Sequence, residues 1–219
     1  MRHGLFLLAL VSLAGCAPKV RPGAAQQVVV VPPGPEDLWR NIASADDRAR
    51  LEQLPARFGD LSRGIRAPQR YTATIGRTLL DPAAAQPWVV PTPGVYRCRV
   101  VRLSGGRGST TVRSFRPFFC YVQADADSLA LTKGTGSDRP GGRIFPDSAR
   151  RMIFLGASAV GNTMPAYDAA ATTNRIGMLE RIESFRWRLV LDRRQDNGLD
   201  VLDLWPDSAS LPVTEAIRL

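Results

Sequence analysis

The cysteine at position 16 is the first residue whose type and surroundings predict a covalent reaction. It follows Leu13, Ala14 and Gly15, and these four positions fit the lipobox of bacterial lipoproteins. In that motif the thiol receives a diacylglycerol group, and small residues give the signal peptidase access to the bond before it. Residues 1–15 have a basic start and an apolar run too short to span a bilayer. They are predicted to be a signal peptide, with Cys16 as the lipidated residue.

The segment after this cysteine predicts where the protein resides. Residues 16–34 are rich in Pro, Ala, Gln and Val and are expected to form an extended, lipidated tether. Ala17 stands where many lipoproteins retained at the inner membrane carry Asp, so we expect an outer-membrane lipoprotein facing the periplasm. Acyl chains anchor firmly, because each buried CH₂ contributes about 0.8 kcal/mol. The membrane is therefore the first predicted partner.

The other two cysteines predict a disulfide across an antiparallel hairpin. If Cys98 faces Cys120, then Tyr96 faces Val122 on the same side of the sheet, because side chains alternate with a period of two. The turn then falls within residues 104–110, which contain three glycines. The compartment beyond the inner membrane is oxidising and favours the disulfide. Two buried free thiols are the alternative.

A further group of side chains combines positive charge with positions on predicted strands or beside a glycine-rich loop. Its members are the candidate ligand-binding residues Arg97, Arg99, Lys133, Arg139, Arg186 and Arg188. Arginine suits bidentate contacts with phosphate and carboxylate groups, so a groove for an anionic ligand is one interpretation. The other is that the strand arginines form the solvated outer face of a half-buried sheet, and that the loop only connects two strands.

Several kinds of chemistry are absent from this sequence. The only histidine, His3, lies in the predicted signal peptide, which leaves no imidazole for catalysis or metal binding. No catalytic residue, metal site or cofactor is predicted. The formal net charge is +9, and nearly all basic residues are arginine. Anionic lipid, polysaccharide or a protein are the predicted partners besides the membrane, and nucleic acid is not.

Residues 35–82 are predicted to be a helical segment. Ser44 is the expected N-cap of its main helix, because acidic residues fill the first turn after it. Apolar residues then recur at spacings of three and four, which predicts one buried stripe: Leu51, Leu54, Phe58, Leu61 and Ile65. Pro55 is expected to kink or split this helix. A further helix is predicted over 69–80.

Beyond a Pro-rich joint the hydrophobic period changes from about 3.6 to 2, which predicts an antiparallel β domain over residues 94–206. The expected strands cover residues 95–103, 113–122, 128–133, 142–146, 151–157, 176–183, 185–192 and 199–205. Eight short strands without intervening helices favour a meander that closes into a small, calycin-like barrel. A β-sandwich is the alternative. The fold class is therefore mainly β with a helical N-terminal preface.

Several short motifs, in order along the chain, resemble an uncharacterised bacterial envelope family, domain of unknown function 4893. The resemblance covers most of residues 36–206. The motifs that carry it are Gly94–Arg99, Phe119–Tyr121, Lys133–Arg139, Phe154–Ala157, Gly177–Ile182 and Arg186–Leu189. The family carries no assigned activity, so the resemblance implies a coherent fold and no particular reaction.

These observations favour a non-enzymatic binding domain, or an inhibitor-like domain, at the envelope. A histidine-free hydrolase that uses carboxylates is one alternative, and a structural envelope component is another. A deep pocket with convergent Asp or Glu would favour the hydrolase, and a basic open face would favour binding.

Overall fold

The structure is a computed structural model that describes residues 38–66, 75–106, 108–125, 128–161 and 163–207. The predicted signal peptide, the tether and Cys16 lie outside the described residues. The first part of the predicted helix over 69–80 lies outside them as well.

Three helices precede the strands of the described chain: α1 (Leu38–Ile42), α2 (Ala45–Arg63) and α3 (Arg77–Leu80). Ser44 caps α2 as predicted, since its Oγ accepts a hydrogen bond from the backbone N–H of Asp47 at 3.1 Å. Pro55 does not split this helix, because α2 continues through it with buried residues on both sides. Among the described residues, no helix is long and apolar enough to cross a membrane.

Nine antiparallel strands follow the helices. They are β1 (Gly94–Gly106), β2 (Ser109–Ser114), β3 (Phe118–Asp125), β4 (Ser128–Lys133), β5 (Pro140–Ser148), β6 (Arg151–Ser158), β7 (Asn174–Glu183), β8 (Arg186–Asp192) and β9 (Leu199–Pro206). Strands β3 to β9 pair in succession, and β1 pairs with both β3 and β9. Eight strands therefore close into the predicted barrel, and the sandwich alternative is wrong.

The single strand predicted over 113–122 is instead two strands, β2 and β3. They pair with different halves of the long strand β1, and residues 115–117 connect them. Pro117 has no backbone N–H to donate to a ladder, which explains an interruption at this point. The predicted register is consequently wrong by two residues: Tyr96 lies opposite Cys120, not Val122.

The predicted disulfide between Cys98 and Cys120 is confirmed, with the two Cα atoms 5.9 Å apart. Cys98 lies opposite Phe118 in the ladder, so the bond joins β1 diagonally to a residue two positions further along β3. A diagonal separation is still within reach, because Cα atoms in disulfides are usually 4.4–6.8 Å apart.

The barrel wall separates two apolar cores. The inner core fills the barrel with side chains such as Cys98, Phe154 and Leu189. The outer core lies between the wall and the helices, where Leu54 and Phe58 of α2 join outward-facing strand residues. The outer face of the late strands is therefore covered by a second layer, as helices cover a sheet in other two-layer domains.

The two ends of the barrel differ. At one end, the buried side chain of Val89 belongs to the inner core, and its carbonyl accepts a hydrogen bond from Trp187 Nε1 at 2.8 Å. Tyr96 packs edge-on against Trp187, with ring centroids 5.9 Å apart, and burial raises the pKa of Tyr96 to about 12. We call this the closed end. The opposite end carries charged side chains and is called the mouth.

Candidate functional site

Two of the candidate arginines converge on the outer wall of the barrel. Arg99 Nη2 lies 2.7 Å from Asp203 Oδ2, and Arg186 Nε lies 2.7 Å from Asp203 Oδ1. Both guanidinium groups also donate to the carbonyl of Ile75, at 3.2 and 3.1 Å. These bonds hold the chain before α3 against strands β1, β8 and β9.

Arg188 is fully buried between the outer wall and the helices. Its Nε lies 2.7 Å from Glu180 Oε2, and its Nη1 donates to the carbonyls of Leu79 and Asp81 at 3.1 and 2.6 Å. The guanidinium also lies 4.6 Å from the centroid of the Phe58 ring. The interpretation of the strand arginines as a solvated face is therefore wrong for Arg188, because the helical layer covers it.

The remaining candidates lie apart from this cluster. Arg97 pairs with Asp207 at 3.2 Å and covers the ring of Phe119. Arg139 is half-buried beside the mouth and donates to the carbonyl of Gly161. The candidates therefore do not form one open basic face, and their ligand-binding role stays a prediction.

Lys133 is the candidate that lines a cavity. The mouth contains a cavity of about 280 Å³ with an apolar floor and a charged rim. The floor consists of Val100, Phe118, Leu191 and Leu202. The polar and charged part of the rim consists of Arg102, Arg116, Lys133, Ser137, Asp138, Arg175 and Asp200.

Two carboxylates and two arginines form a network on one side of the mouth. Arg102 binds Asp200 in a bidentate pair, at 2.7 and 3.0 Å, and this bond raises the pKa of Arg102. Arg175 Nη2 lies 3.3 Å from Asp138 Oδ2 and 3.6 Å from Asp200 Oδ2. Within the described chain, the buried Nε of Arg175 has no hydrogen-bond acceptor.

Lys133 lies on the other side of the mouth and is 7% exposed. Its Nζ donates to the carbonyl of Asp138 and lies 4.3 Å from the centroid of the Phe118 ring. Gly136 adopts a positive φ of 96°, and a Cβ there would lie only 2.8 Å from this Nζ. Burial lowers the pKa of the Lys133 amine. Lys133 is thus packed between an aromatic ring and a loop, and among the described residues it contacts no carboxylate.

Most of the mouth residues were not among the candidates chosen from the sequence. Arg102 continues the inward-facing series of Cys98 and Val100, and Asp200 stands in the same series as Leu202. A charged residue at the end of an apolar period-two series was the available signal. The network with Arg175 depends on strand order, which the sequence did not predict.

Residues 39–204 match the family model described as Domain of unknown function (DUF4893), from the first helix to the last strand. The chain belongs to this family. The resemblance inferred from the sequence motifs is thus confirmed for the DUF4893 domain. No curated protein and no solved structure matches the chain. The described residues of the DUF4893 domain include no cluster of three or more side chains that could hold a metal ion.

Proposed function

We propose that this chain is an outer-membrane lipoprotein, facing the periplasm, whose barrel binds a small anionic ligand at its mouth without chemical conversion. One observation carries the proposal: the buried ammonium of Lys133 beside an apolar floor. Such a combination suits an amphiphile, since the apolar part is removed from water while the anionic group meets a fixed charge.

The charges of the mouth favour an anion. Arg102, Arg116, Lys133 and Arg175 line it together with two carboxylates, Asp138 and Asp200 — a surplus of positive charge. The two carboxylates are both in contact with Arg175, and the buried ammonium of Lys133 and the exposed guanidinium of Arg116 add positive charge beside them. Desolvated charge-assisted bonds are stronger than neutral ones.

A carboxylate-dependent hydrolase is the second candidate, because Asp138 and Asp200 line the same cavity. Asp200 is 2% exposed and accepts both nitrogens of Arg102, which favours a structural role for it. Hydrolysis of 4-nitrophenyl glycosides tests the candidate. Turnover that Asp138→Asn abolishes would establish the hydrolase and overturn the non-enzymatic proposal.

Calorimetric titration with octanoate and with 1-octanol tests the binding proposal, because the two probes share a chain and differ in charge. We expect the wild-type protein to bind octanoate more tightly. Lys133→Gln should weaken octanoate binding by about ten- to hundredfold, since a hydrogen bond to a charged group is worth about 1.5–3 kcal/mol. Octanol binding should change little.

Arg63→Gln is the matched control, because it removes one positive charge from an exposed position on α2, far along the chain from the mouth. It should leave octanoate affinity unchanged. Equal affinity of the wild type for both probes, or unchanged octanoate binding by Lys133→Gln, would contradict the proposal.

The anchoring part of the proposal is supported by the lipobox at 13–16 and by a disulfide, which is typical of exported proteins. Mass spectrometry of protein from its native membrane should find acylated Cys16 and no residues 1–15. Cys16→Ser should release the protein from the membrane or leave it unprocessed. An unmodified amino terminus at another position would refute the anchoring.

A further inference from the structure

The closed end of the barrel exposes three large apolar side chains. Trp88 is 82% exposed, Phe185 is 71% exposed and Val90 is 62% exposed. We call these three residues the closed-end patch. They contribute nothing to either core, so the folding of the chain does not account for their apolar character.

Hydrogen bonds hold the parts of this patch together. The backbone N–H of Gln86 donates to the carbonyl of Arg181 at 2.8 Å, and its side-chain amide donates to the carbonyl of Ile182 at 3.1 Å. The segment that carries Trp88 and Val90 is thereby fixed beside the turn that carries Phe185. The patch is a built surface of the barrel end.

The backbone of Trp88 strengthens this view. Its φ is 61°, in the left-handed region that bulky residues rarely adopt. The neighbouring side chain of Val89 is buried in the inner core, so this turn of the backbone directs Trp88 away from the barrel. Such a conformation costs free energy, so its presence at an exposed aromatic residue suggests a role other than stability.

The described chain also begins at this end. Trp39 Nε1 donates to Asp147 Oδ1 at 3.0 Å, just before the turn between β5 and β6. Ser148 and Ala149 of that turn line a groove with Trp88 and Val90. The first described residues of the chain, in α1, therefore lie beside the closed-end patch.

Exposed arginines accompany the patch. Arg150 lies in the same turn and donates to the carbonyl of Ala85 at 3.3 Å. Arg40 of α1 covers the ring of Trp39 and has a side chain that is 42% exposed. Arginine beside exposed aromatic side chains matches the interfacial region of an anionic membrane, where rings lie at headgroup level and guanidinium groups contact phosphates.

We infer that the closed-end patch inserts into the interfacial region of the phospholipid bilayer. The mouth at the other end then faces away from the membrane and stays open to ligands. This orientation agrees with the proposed anchor at Cys16, but the patch itself binds lipid without it.

The test uses the chain from residue 17 onwards, which keeps both cores and lacks the acylation site. It is mixed with vesicles of phosphatidylglycerol and phosphatidylethanolamine, and tryptophan emission is recorded. We expect a blue shift and quenching by brominated acyl chains. Trp39 and Trp187 are buried and Trp205 is half-buried, so Trp88, which is 82% exposed, should contribute most of the change. Partition of each variant is compared by co-sedimentation with the vesicles, because Trp88→Ala removes the main reporter. Trp88→Ala combined with Phe185→Ser should weaken partition by about a hundredfold or more, as expected when two aromatic side chains no longer enter the bilayer.

Val160→Ser is the matched control, since Val160 is 72% exposed and lies after β6, at the mouth end of the barrel. It should partition like the wild type. Octanoate titration of each variant reports separately on the mouth, so loss of vesicle binding with intact octanoate binding isolates the patch. Failure of octanoate binding alone would leave this inference standing.

Three outcomes would overturn the inference. The wild type could fail to partition, or the double variant could partition as well as the wild type. Sedimentation could instead show a dimer that the double variant abolishes while vesicles remain unbound, which would assign the patch to self-association.

Discussion

At the scale of single residues, arginine holds layers of this protein together. Arg188 illustrates the point, because it donates to Glu180 on β7 and to the carbonyls of Leu79 and Asp81 at the C-terminal end of α3. A guanidinium suits this task, since its planar fork carries five N–H donors in fixed directions. The abundance of arginine in the sequence thus includes residues that lie in the interior.

Arg188→Met should lower the free energy of unfolding by about 3–5 kcal/mol, because it leaves Glu180 and two backbone carbonyls without a buried donor. Urea denaturation followed by circular dichroism measures the change. Arg188→Leu combined with Glu180→Leu should recover part of the loss, since no unpaired charge remains. Arg63→Met removes a fully solvated partner of Asp60 and should have little effect. Equal effects of Arg188→Met and Arg63→Met would contradict this account.

The lowered pKa of Lys133 predicts that folding stability rises with pH and that octanoate affinity falls with pH. Burial lowers the pKa of its amine from the usual value of 10.5, so the folded state holds fewer protons than the unfolded state between the two pKa values. The stability of the wild type relative to Lys133→Met should therefore rise with pH through that window. Octanoate affinity should fall over the same range, because the amine loses its charge.

Urea denaturation and octanoate titration, each at pH values up to about 10.5, measure both trends. Lys133→Met provides the reference for every other titrating group. A stability difference between the two proteins that does not vary with pH would show that the folded and unfolded amines have the same pKa.

At the scale of elements, the disulfide lies close to the point where the pairing of β1 changes from β3 to β2. Strand β1 pairs with β2 along one half and with β3 along the other, and Cys98–Cys120 lies on the β3 side. The bond closes a loop of 22 positions that contains all of β2. The bond therefore limits the freedom of the unfolded chain over the segment that contains β2 and Pro117.

Cys98→Ala combined with Cys120→Ala should lower stability by about 3 kcal/mol in the chain-entropy model, with no change of fold. Alanine is chosen because both cysteines are fully buried and a serine hydroxyl there would lack a partner. Thermal denaturation gives the loss, and far-ultraviolet circular dichroism checks the fold. Two titratable thiols in protein purified from its native envelope would contradict the disulfide as the working state.

The sequence pattern predicted the positions of the strands better than it predicted which side chains the helices cover. The period-two pattern predicted most strands to within a few residues, because the inner face of a barrel is uniformly apolar. The pattern could not show that Arg188 is buried. An outward-facing polar residue has the same period whether water or a helix lies outside it. The pattern also could not show that β2 and β3 pair with different halves of β1, because that depends on tertiary pairing.

At the scale of the whole molecule, the two cores share one sheet. Leu54 belongs to the outer core and Leu189 to the inner core, and both are fully buried. Val190 of the same strand as Leu189 faces the outer core, so β8 contributes to both. The helices and the barrel are therefore expected to unfold in one cooperative transition.

Leu54→Ala and Leu189→Ala should each cost about 2–5 kcal/mol, the range for truncating a buried leucine. In both variants, the near-ultraviolet and far-ultraviolet transitions should shift together. An exposed substitution such as Val160→Ser should shift neither. Separate transitions in Leu54→Ala, with the barrel melting later than the helices, would show that the inner core is stable alone.

The packing of Lys133 in the mouth has a practical consequence for identifying what this protein recognises. Lys19 and Lys133 are the only lysines in the sequence. An acylating reagent that attacks amines can therefore mark the tether, the amino terminus or the mouth, and no other side-chain amine. The mass tag on the peptide that contains Lys133 becomes a readout of whether the mouth is occupied. Fractions of an envelope extract that suppress this tag, while leaving the tag on Lys19 unchanged, would contain the natural ligand.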